Sequence, residues 1–205
     1  AALKKFTEKV NVATVEFENL PQATLEAVEQ HIPLYPSSEA VSICQHRERE
    51  KLFLSENGFN CAKFRIAKDI DSFKSGLLEL NADVIVKTAE FGYDGKGQLK
   101  LTSGLSDLEI NEAWKSFGGG RVVIEECISL ETEVSVLVVR NNNGQVATYD
   151  PVENIHRNHI LDVSIVPARI PDNFLSEAKR LALEISESLN YVGVLAVEFF
   201  ISSDG

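Results

Sequence analysis

A lysine at the end of an apolar run, followed by a loop holding three glycines, carries most of the chemistry legible in this 205-residue chain. Val84, Ile85 and Val86 read as a buried strand that delivers Lys87, and Gly92, Gly95 and Gly97 follow with Lys96 among them. Glycines let a loop curl so that several backbone N–H groups converge on one anion, and the two lysines add positive charge. That combination suits a polyphosphate. The spacing Gly92-x-x-x-x-Gly97 imitates a P-loop, but Gln98 stands where the P-loop lysine belongs. Gln98 to Thr102 then alternates like a strand rather than opening a helix, so the P-loop reading fails its context. A strand, a glycine-rich turn and a second strand make a phosphate flap. A plain hairpin with a generous turn is the bland alternative.

Carboxylates supply the second set of candidates. Glu198 lies inside the run Val194 to Ile201 and shares a strand face with Val194, Ala196 and Phe200. An ionised carboxylate on an apolar sheet face is costly unless compensated, and a magnesium ion beside nucleotide phosphates is one compensation. A structural salt bridge or an edge open to water is another. Glu125 and Glu126 end the strand that begins at Val122, and Glu133 follows after a turn. The free backbone groups at such a tip can read the edge of adenine, and a nearby carboxylate such as Glu133 can accept bonds from ribose hydroxyls. His156 is expected in a polar loop. No Ser-His-Asp arrangement and no zinc-like Cys/His spacing is present.

The elements that must position these groups follow from period and caps. Val10 to Phe17 reads as a strand and Gln22 to Gln30 as a helix. Ser37 or Ser38 caps a helix expected to run to Gly58, with the polar stretch Gln45 to Lys51 as a solvated face. Ala62, Phe64 and Ile66 alternate as a strand. Asp69 caps a helix with Ile70, Phe73 and Leu77 on one face. Ser106 and Glu109 form a capping box before the stripe Ile110, Trp114, Phe117. Arg121 to Glu126 is a strand, and Glu133–Arg140 with Gln145–Val152 form a hairpin around Asn142, Asn143 and Gly144. Asp172 caps a long helix, and Val194 to Ile201 is the last strand. Strands and helices mix without strict alternation, which predicts an α+β body with an inserted lid.

Composition narrows the partners. The chain carries 31 acidic and 20 basic residues, which argues against nucleic acid. No apolar run approaches a membrane span and no signal-peptide pattern opens the chain. Cys44, Cys61 and Cys127 are an odd, widely spaced set, the pattern of reduced thiols in a cytoplasm. There is no methionine, hence no initiator, and the chain stops just after a strand; it reads as a fragment.

With these residues in hand, the chain resembles the ATP-grasp enzymes, and among them the family of bacterial 5-(carboxyamino)imidazole ribonucleotide synthases. The resemblance spans nearly the whole chain. It rests on Thr14 to Asn19, on Gln45–Arg47 with Glu50 and Lys51, and on Lys87–Thr88. It continues through Gly92 to Gln98, Glu133–Ser135, Glu153–His156 and Val197–Phe200. It implies an ATP-grasp fold with a glycine-rich lid, preceded by the end of a Rossmann-like pre-ATP-grasp domain. The implied divisions are 1–48 for that end and its linking helix, 49–126 for the lid subdomain, and 127–205 for a truncated central subdomain.

The resemblance also implies roles. Arg47 and Lys87 contact ATP, while Gly92, Tyr93, Asp94, Gly95, Lys96, Gly97 and Gln98 close over its phosphates. Glu125, Glu126, Cys127 and Ile128 supply the adenine-reading connection, Glu133 the ribose contact, and His156 another nucleotide-site position. Glu198 is one of two acidic magnesium ligands. Tyr93 and Lys96 reach aminoimidazole ribonucleotide, with either Glu16 or Glu18, which strand parity does not separate. His46 stands where the family usually has an acid. The implied enzyme is a cytoplasmic homodimer that uses ATP, magnesium, bicarbonate and aminoimidazole ribonucleotide, and binds neither nucleic acid nor membrane. Bicarbonate becomes carboxyphosphate before it reaches the amine, and the flap excludes water from that labile anhydride. Two rivals share parts of the pattern: another ATP-grasp carboxylase of the biotin carboxylase kind, and a non-catalytic nucleotide-binding module.

Overall fold

The computed structural model describes residues 2–17, 19–90, 97–158 and 160–203. The chain forms two compact units, one of Ala1–Gln45, Glu131–Ile155 and Asp162–Ile201, the other of His46–Leu130, His156–Leu161 and Ser202–Gly205.

The first unit opens with α1 (Ala2–Thr7), β1 (Ala13–Thr14), α2 (Gln22–Glu29), β2 (Leu34–Tyr35) and α3 (Ser38–Cys44). β1 and β2 pair in parallel, Ala13 beside Leu34, and bury a small core with Leu25, Val28 and Val41. The strand expected over Val10 to Phe17 is thus reduced to two paired residues, and Phe17 lies exposed. Ser37 caps α3 by accepting the Ala40 N–H.

The single helix expected from Ser37 to Gly58 is two. α4 (Arg47–Glu56) starts afresh after His46, whose Nδ1 accepts the Arg49 N–H at 3.4 Å. In an unbroken helix the Arg47 N–H would bond the carbonyl four residues back. It goes instead to Ala89 O, at 2.9 Å. A bond to a residue remote in sequence thus takes the place of one helical rung.

The second unit continues with β3 (Phe64–Ala67), α5 (Ile70–Leu80), β4 (Val84–Thr88), β5 (Gln98–Leu101), α6 (Asp107–Ser116) and β6 (Val122–Glu126). Its strands form one antiparallel sheet in the order β3-β6-β4-β5. Asp69 and Ser72 close a capping box on α5, and Ser106 and Glu109 one on α6. Both helices cover one sheet face, where Val84, Val86, Val122 and Ile124 pack with Phe73, Ala113 and the partly buried Trp114. Gly76 permits that closeness: a Cβ there would stand 2.7 Å from Ile124 Cδ1.

The chain then returns to the first unit with β7 (Leu130–Arg140), β8 (Val146–Thr148), β9 (Val152–Arg157), β10 (Ile160–Ile165), α7 (Asp172–Ser188) and β11 (Gly193–Ser202). The sheet order is β10-β9-β7-β11, with β8 hairpinned onto β7. Val136, Val138, Val197 and Phe199 share one face with Ala178, Ala182 and Leu183 of α7. Two expectations change here. Asp172 is the first residue of α7, where its charge suits the helix N-terminus, and Pro171 holds the cap position without a side-chain cap bond. His156 lies in strand β9, not in a loop. Among the described residues, no helix is long and apolar enough to cross a membrane.

Candidate functional site

With α5 and α6 filling one face of the second unit's sheet, the opposite face is set by alternation. Lys87 pairs with Val123 and Ile85 with Glu125, so Lys87 and Glu125 are diagonal neighbours on one face. Long side chains span that diagonal. Lys87 Nζ stands 3.1 Å from Glu125 Oε1, and Lys51 Nζ stands 2.9 Å from Oε2. The three side chains are 17%, 6% and 11% exposed for Lys87, Glu125 and Lys51. The two contacts are not equal: Glu125 Oε1 has no aligned hydrogen bond, so Lys87 meets it as an ion partner off the bonding axis.

Burial and charge oppose each other at every group of this cluster. Burial alone would raise the Glu125 carboxyl, but Lys87 and Lys51 outweigh it and hold the pKa below the usual range. Burial pushes the Lys87 ammonium below the ordinary lysine value, against the pull of Glu125. Burial likewise lifts Glu50 above the carboxylate range, although Arg47 and Lys51 draw it down. The Cys61 thiol is raised by burial beside the same charges. Arg47, Glu50, Lys51 and Lys87 therefore sense one another across a half-dry sheet face.

Sequence reasoning missed part of this site. It took the polar stretch of α4 as a solvated face, yet Lys51 is buried and Glu50 half-buried. The signal was present in the spacing: Arg47, Glu50 and Lys51 stand at i, i+3 and i+4, one side of a helix. Two further contacts fix α4. Arg121 donates from one nitrogen to both oxygens of Glu48, at 2.7 and 2.8 Å. His46 Nε2 lies 3.3 Å from Glu90 Oε1, at the root of the glycine-rich loop.

At that root the Thr88 N–H donates to Gly97 O at 2.8 Å, and Lys87 pairs with Gln98. Gly97 has φ +71°, and a Cβ there would stand 2.6 Å from Thr88 Oγ1. Both the backbone conformation and the close approach require glycine. Gly92, Tyr93, Asp94, Gly95 and Lys96 lie outside the described residues. In the expected adenine connection, the Glu126 N–H donates to Lys63 O and the Cys127 N–H to Asp83 O, both at 2.8 Å. Those commitments leave Ile128, exposed after the strand end, as the outward-facing member. The Glu125 side chain turns inward to the lysines.

The first unit carries Glu16, Glu133 and Glu198, while His156 falls in the second. Glu16 is exposed just past β1, and Glu18 lies outside the described residues. Val134, Val136, Val138, Val197 and Phe199 are turned inward, so Glu133 and Glu198 both project from the sheet's other face. Glu133 pairs with Asn154, whose Nδ2 donates to Ser135 Oγ at 2.9 Å. His156 has the parity of Asn154 and is exposed. The parity expected for Glu198 holds, but its face is open: Val194 and Phe200 are 61% and 53% exposed. The carboxylate therefore bears no burial cost there. Among the described residues no group of three or more His, Cys, Asp or Glu side chains could hold a metal. Glu198 offers one hard oxygen ligand, which fits a magnesium ion held mainly by nucleotide phosphates.

Residues 52–205 match the family model described as ATP-grasp domain, and residues 1–45 the model described as Ribonucleotide synthetase preATP-grasp domain. The N5-carboxyaminoimidazole ribonucleotide synthase of Bacillus subtilis is 37% identical over 204 residues, covering 100% of this chain and 53% of its own. A crystal structure of the ADP complex of an N5-carboxyaminoimidazole ribonucleotide synthetase superposes with a TM-score of 0.91 at 35% identity, covering 100% of this chain and 53% of that one. The Staphylococcus aureus N5-carboxyaminoimidazole synthetase complexed with ADP gives 0.90 at 33%, covering 99% and 53%. The chain spans about half the length of the curated relatives it matches.

Proposed function

We infer that this chain, which belongs to the ATP-grasp family, holds ATP in a ligase that carboxylates 5-aminoimidazole ribonucleotide with bicarbonate, in purine biosynthesis. The observation that carries the ATP part is Lys87: a nearly buried ammonium at the end of β4, beside a hairpin root built on Gly97. A nearly dry ammonium at the root of a glycine-rich loop is placed to meet a phosphate held there. The substrate part is supported by the names of the relatives.

In the proposed reaction a bicarbonate oxygen attacks the γ-phosphorus of ATP and ADP leaves, giving carboxyphosphate. The exocyclic amine then attacks its carbon, phosphate departs, and the amine loses a proton. Arg47 and Lys87 neutralise phosphate charge, while Gly92 to Gln98 cover it and keep water out. Glu125 to Ile128 supply the connection that reads adenine through its backbone, and Glu133 meets the ribose, with His156 at the nucleotide site. Tyr93, Lys96 and an acid of the pair Glu16 and Glu18 receive the ribonucleotide. Glu198 would hold magnesium, which when bound offsets charge on the transferring phosphoryl group. Residues 1–48, 49–126 and 127–205 are the proposed functional divisions, and the proposed whole protein is a cytoplasmic homodimer.

Calorimetry of ATP binding to the full protein tests the nucleotide site. Lys87→Ala should weaken ATP at least tenfold while the circular dichroism spectrum stays unchanged, and Lys87→Arg should restore it in part. Unchanged affinity would remove Lys87 from the site.

A further inference from the structure

Lys51 has no part in the proposed reaction, yet it is the more buried of the two lysines on Glu125. It also makes the shorter contact, 2.9 Å against 3.1 Å, and only the Lys87 side of the carboxylate lacks an aligned hydrogen bond. The arrangement is thus two cations on one nearly dry carboxylate, one at each oxygen. A single lysine on Glu125 would form a closed neutral pair. If that lysine turned to a phosphate, it would strand an unpaired carboxylate in a site with 6% exposure, and stranding a buried charge is strongly unfavourable.

We propose that Lys51 is a positioning residue that frees Lys87 for the nucleotide. It stays on Glu125 Oε2 when the Lys87 ammonium turns from Oε1 to phosphate, so the carboxylate keeps a counter-charge throughout. Lys51 itself meets no nucleotide. The first turn of α4, just before Lys51, is anchored twice: the Arg47 N–H is tied to Ala89 O, and Glu48 is clamped by Arg121. α4, anchored there, presents the Lys51 ammonium to the sheet. Arg47 and Glu50, on the same side of α4, sense this cluster too, but neither makes an ion pair with Glu125 among the described contacts. This inference rests on the proposed ATP site and adds to it the device that keeps Lys87 available.

The test is ATP affinity of the full protein by calorimetry, in Lys51→Met, Glu125→Gln and the double variant. Lys51→Met should bind ATP at least tenfold more weakly than wild type, and Lys51→Arg within about threefold. Once Glu125→Gln removes the charge, Lys51 has nothing to neutralise. The double variant should then bind within about threefold of Glu125→Gln alone. A merely structural role predicts the opposite, a Lys51→Met penalty that persists when Glu125→Gln is already in place. Were Lys51→Met too unstable to assay, the comparison of double with single still decides, and a tenfold gap there overturns the inference. Wild-type affinity in Lys51→Met overturns it too while leaving the ATP site intact. A wild-type protein that binds no ATP would sink both.

Discussion

Glu125→Gln should be among the most destabilising single-atom exchanges in the second unit. The change keeps shape and removes the charge that two lysines share at 2.9 and 3.1 Å. Breaking a buried ion pair from one side costs roughly 3–5 kcal/mol. Lys51 and Lys87 retain 11% and 17% of their side-chain exposure, and a lysine stem can swing its head toward water. That relief brings the expected loss to about 2–3 kcal/mol, or a melting temperature lower by roughly 4–12 °C. The internal control is its neighbour. Glu126 is 30% exposed and its partner Lys63 78% exposed, at 3.4 Å, so Glu126→Gln should cost about 0–1 kcal/mol. Urea unfolding at neutral pH measures both, and Lys51→Met combined with Glu125→Gln should recover part of the loss. The sign with pH is also fixed. The folded-state pKa of Lys87 is lowered, so between that value and the ordinary lysine value the unfolded chain binds more protons. The penalty of Lys87 should therefore ease as pH rises through that window. Equal stability of the Glu125→Gln and Glu126→Gln variants would refute the reasoning.

Gly97→Ala should cost about 1–3 kcal/mol by forcing an L side chain to positive φ, with part of the loss recovered by Thr88→Ala, which removes the oxygen a new Cβ would meet; no loss in thermal unfolding would mean the hairpin root is pliable. The Glu153 carboxyl is held down at about 2, first by the guanidinium of Arg169, which donates at 2.7 and 2.9 Å. Its contribution is present above the ordinary glutamate value and lost as pH falls toward 2, so wild type and Glu153→Gln should differ in melting temperature at neutral pH and converge in strong acid. Glu198→Gln should move the magnesium dependence of activity to higher concentration while leaving thermal stability in place, since its sheet face is open; a changed melting curve with an unmoved magnesium titration would make Glu198 structural.

Local chemistry was legible in the sequence where the cause is local. The Ser106–Glu109 capping box, the stripes on α5 and α6 and the Asn142–Gly144 hairpin depend on neighbours within a few residues, and each is present. Lys87 could be singled out because an apolar strand leading to a lysine and a glycine-rich loop is a local pattern. Lys51 could not. Its spacing with Arg47 and Glu50 marks one helix face, but only the packing of that face on β6 turns a solvated surface into a half-dry one. The break before α4 was illegible for the same reason: it depends on Ala89 taking the Arg47 N–H from across the fold. For Glu198, alternation gave the face, whereas the exposure of that face depends on what packs over it. The strand that holds His156 reads polar because Glu153 and Asn154 are compensated by Arg169 and Ser135, partners remote in sequence.

The most direct test of the central claim is ATP hydrolysis to ADP and phosphate by the full protein, with magnesium and bicarbonate, in the presence and absence of 5-aminoimidazole ribonucleotide. The expected result is turnover that the ribonucleotide stimulates, that appears as one phosphate per carboxylated product, and that Lys87→Ala abolishes. ATP turnover indifferent to the ribonucleotide would contradict the carboxylase assignment, and no turnover under any of these conditions would contradict the enzyme itself.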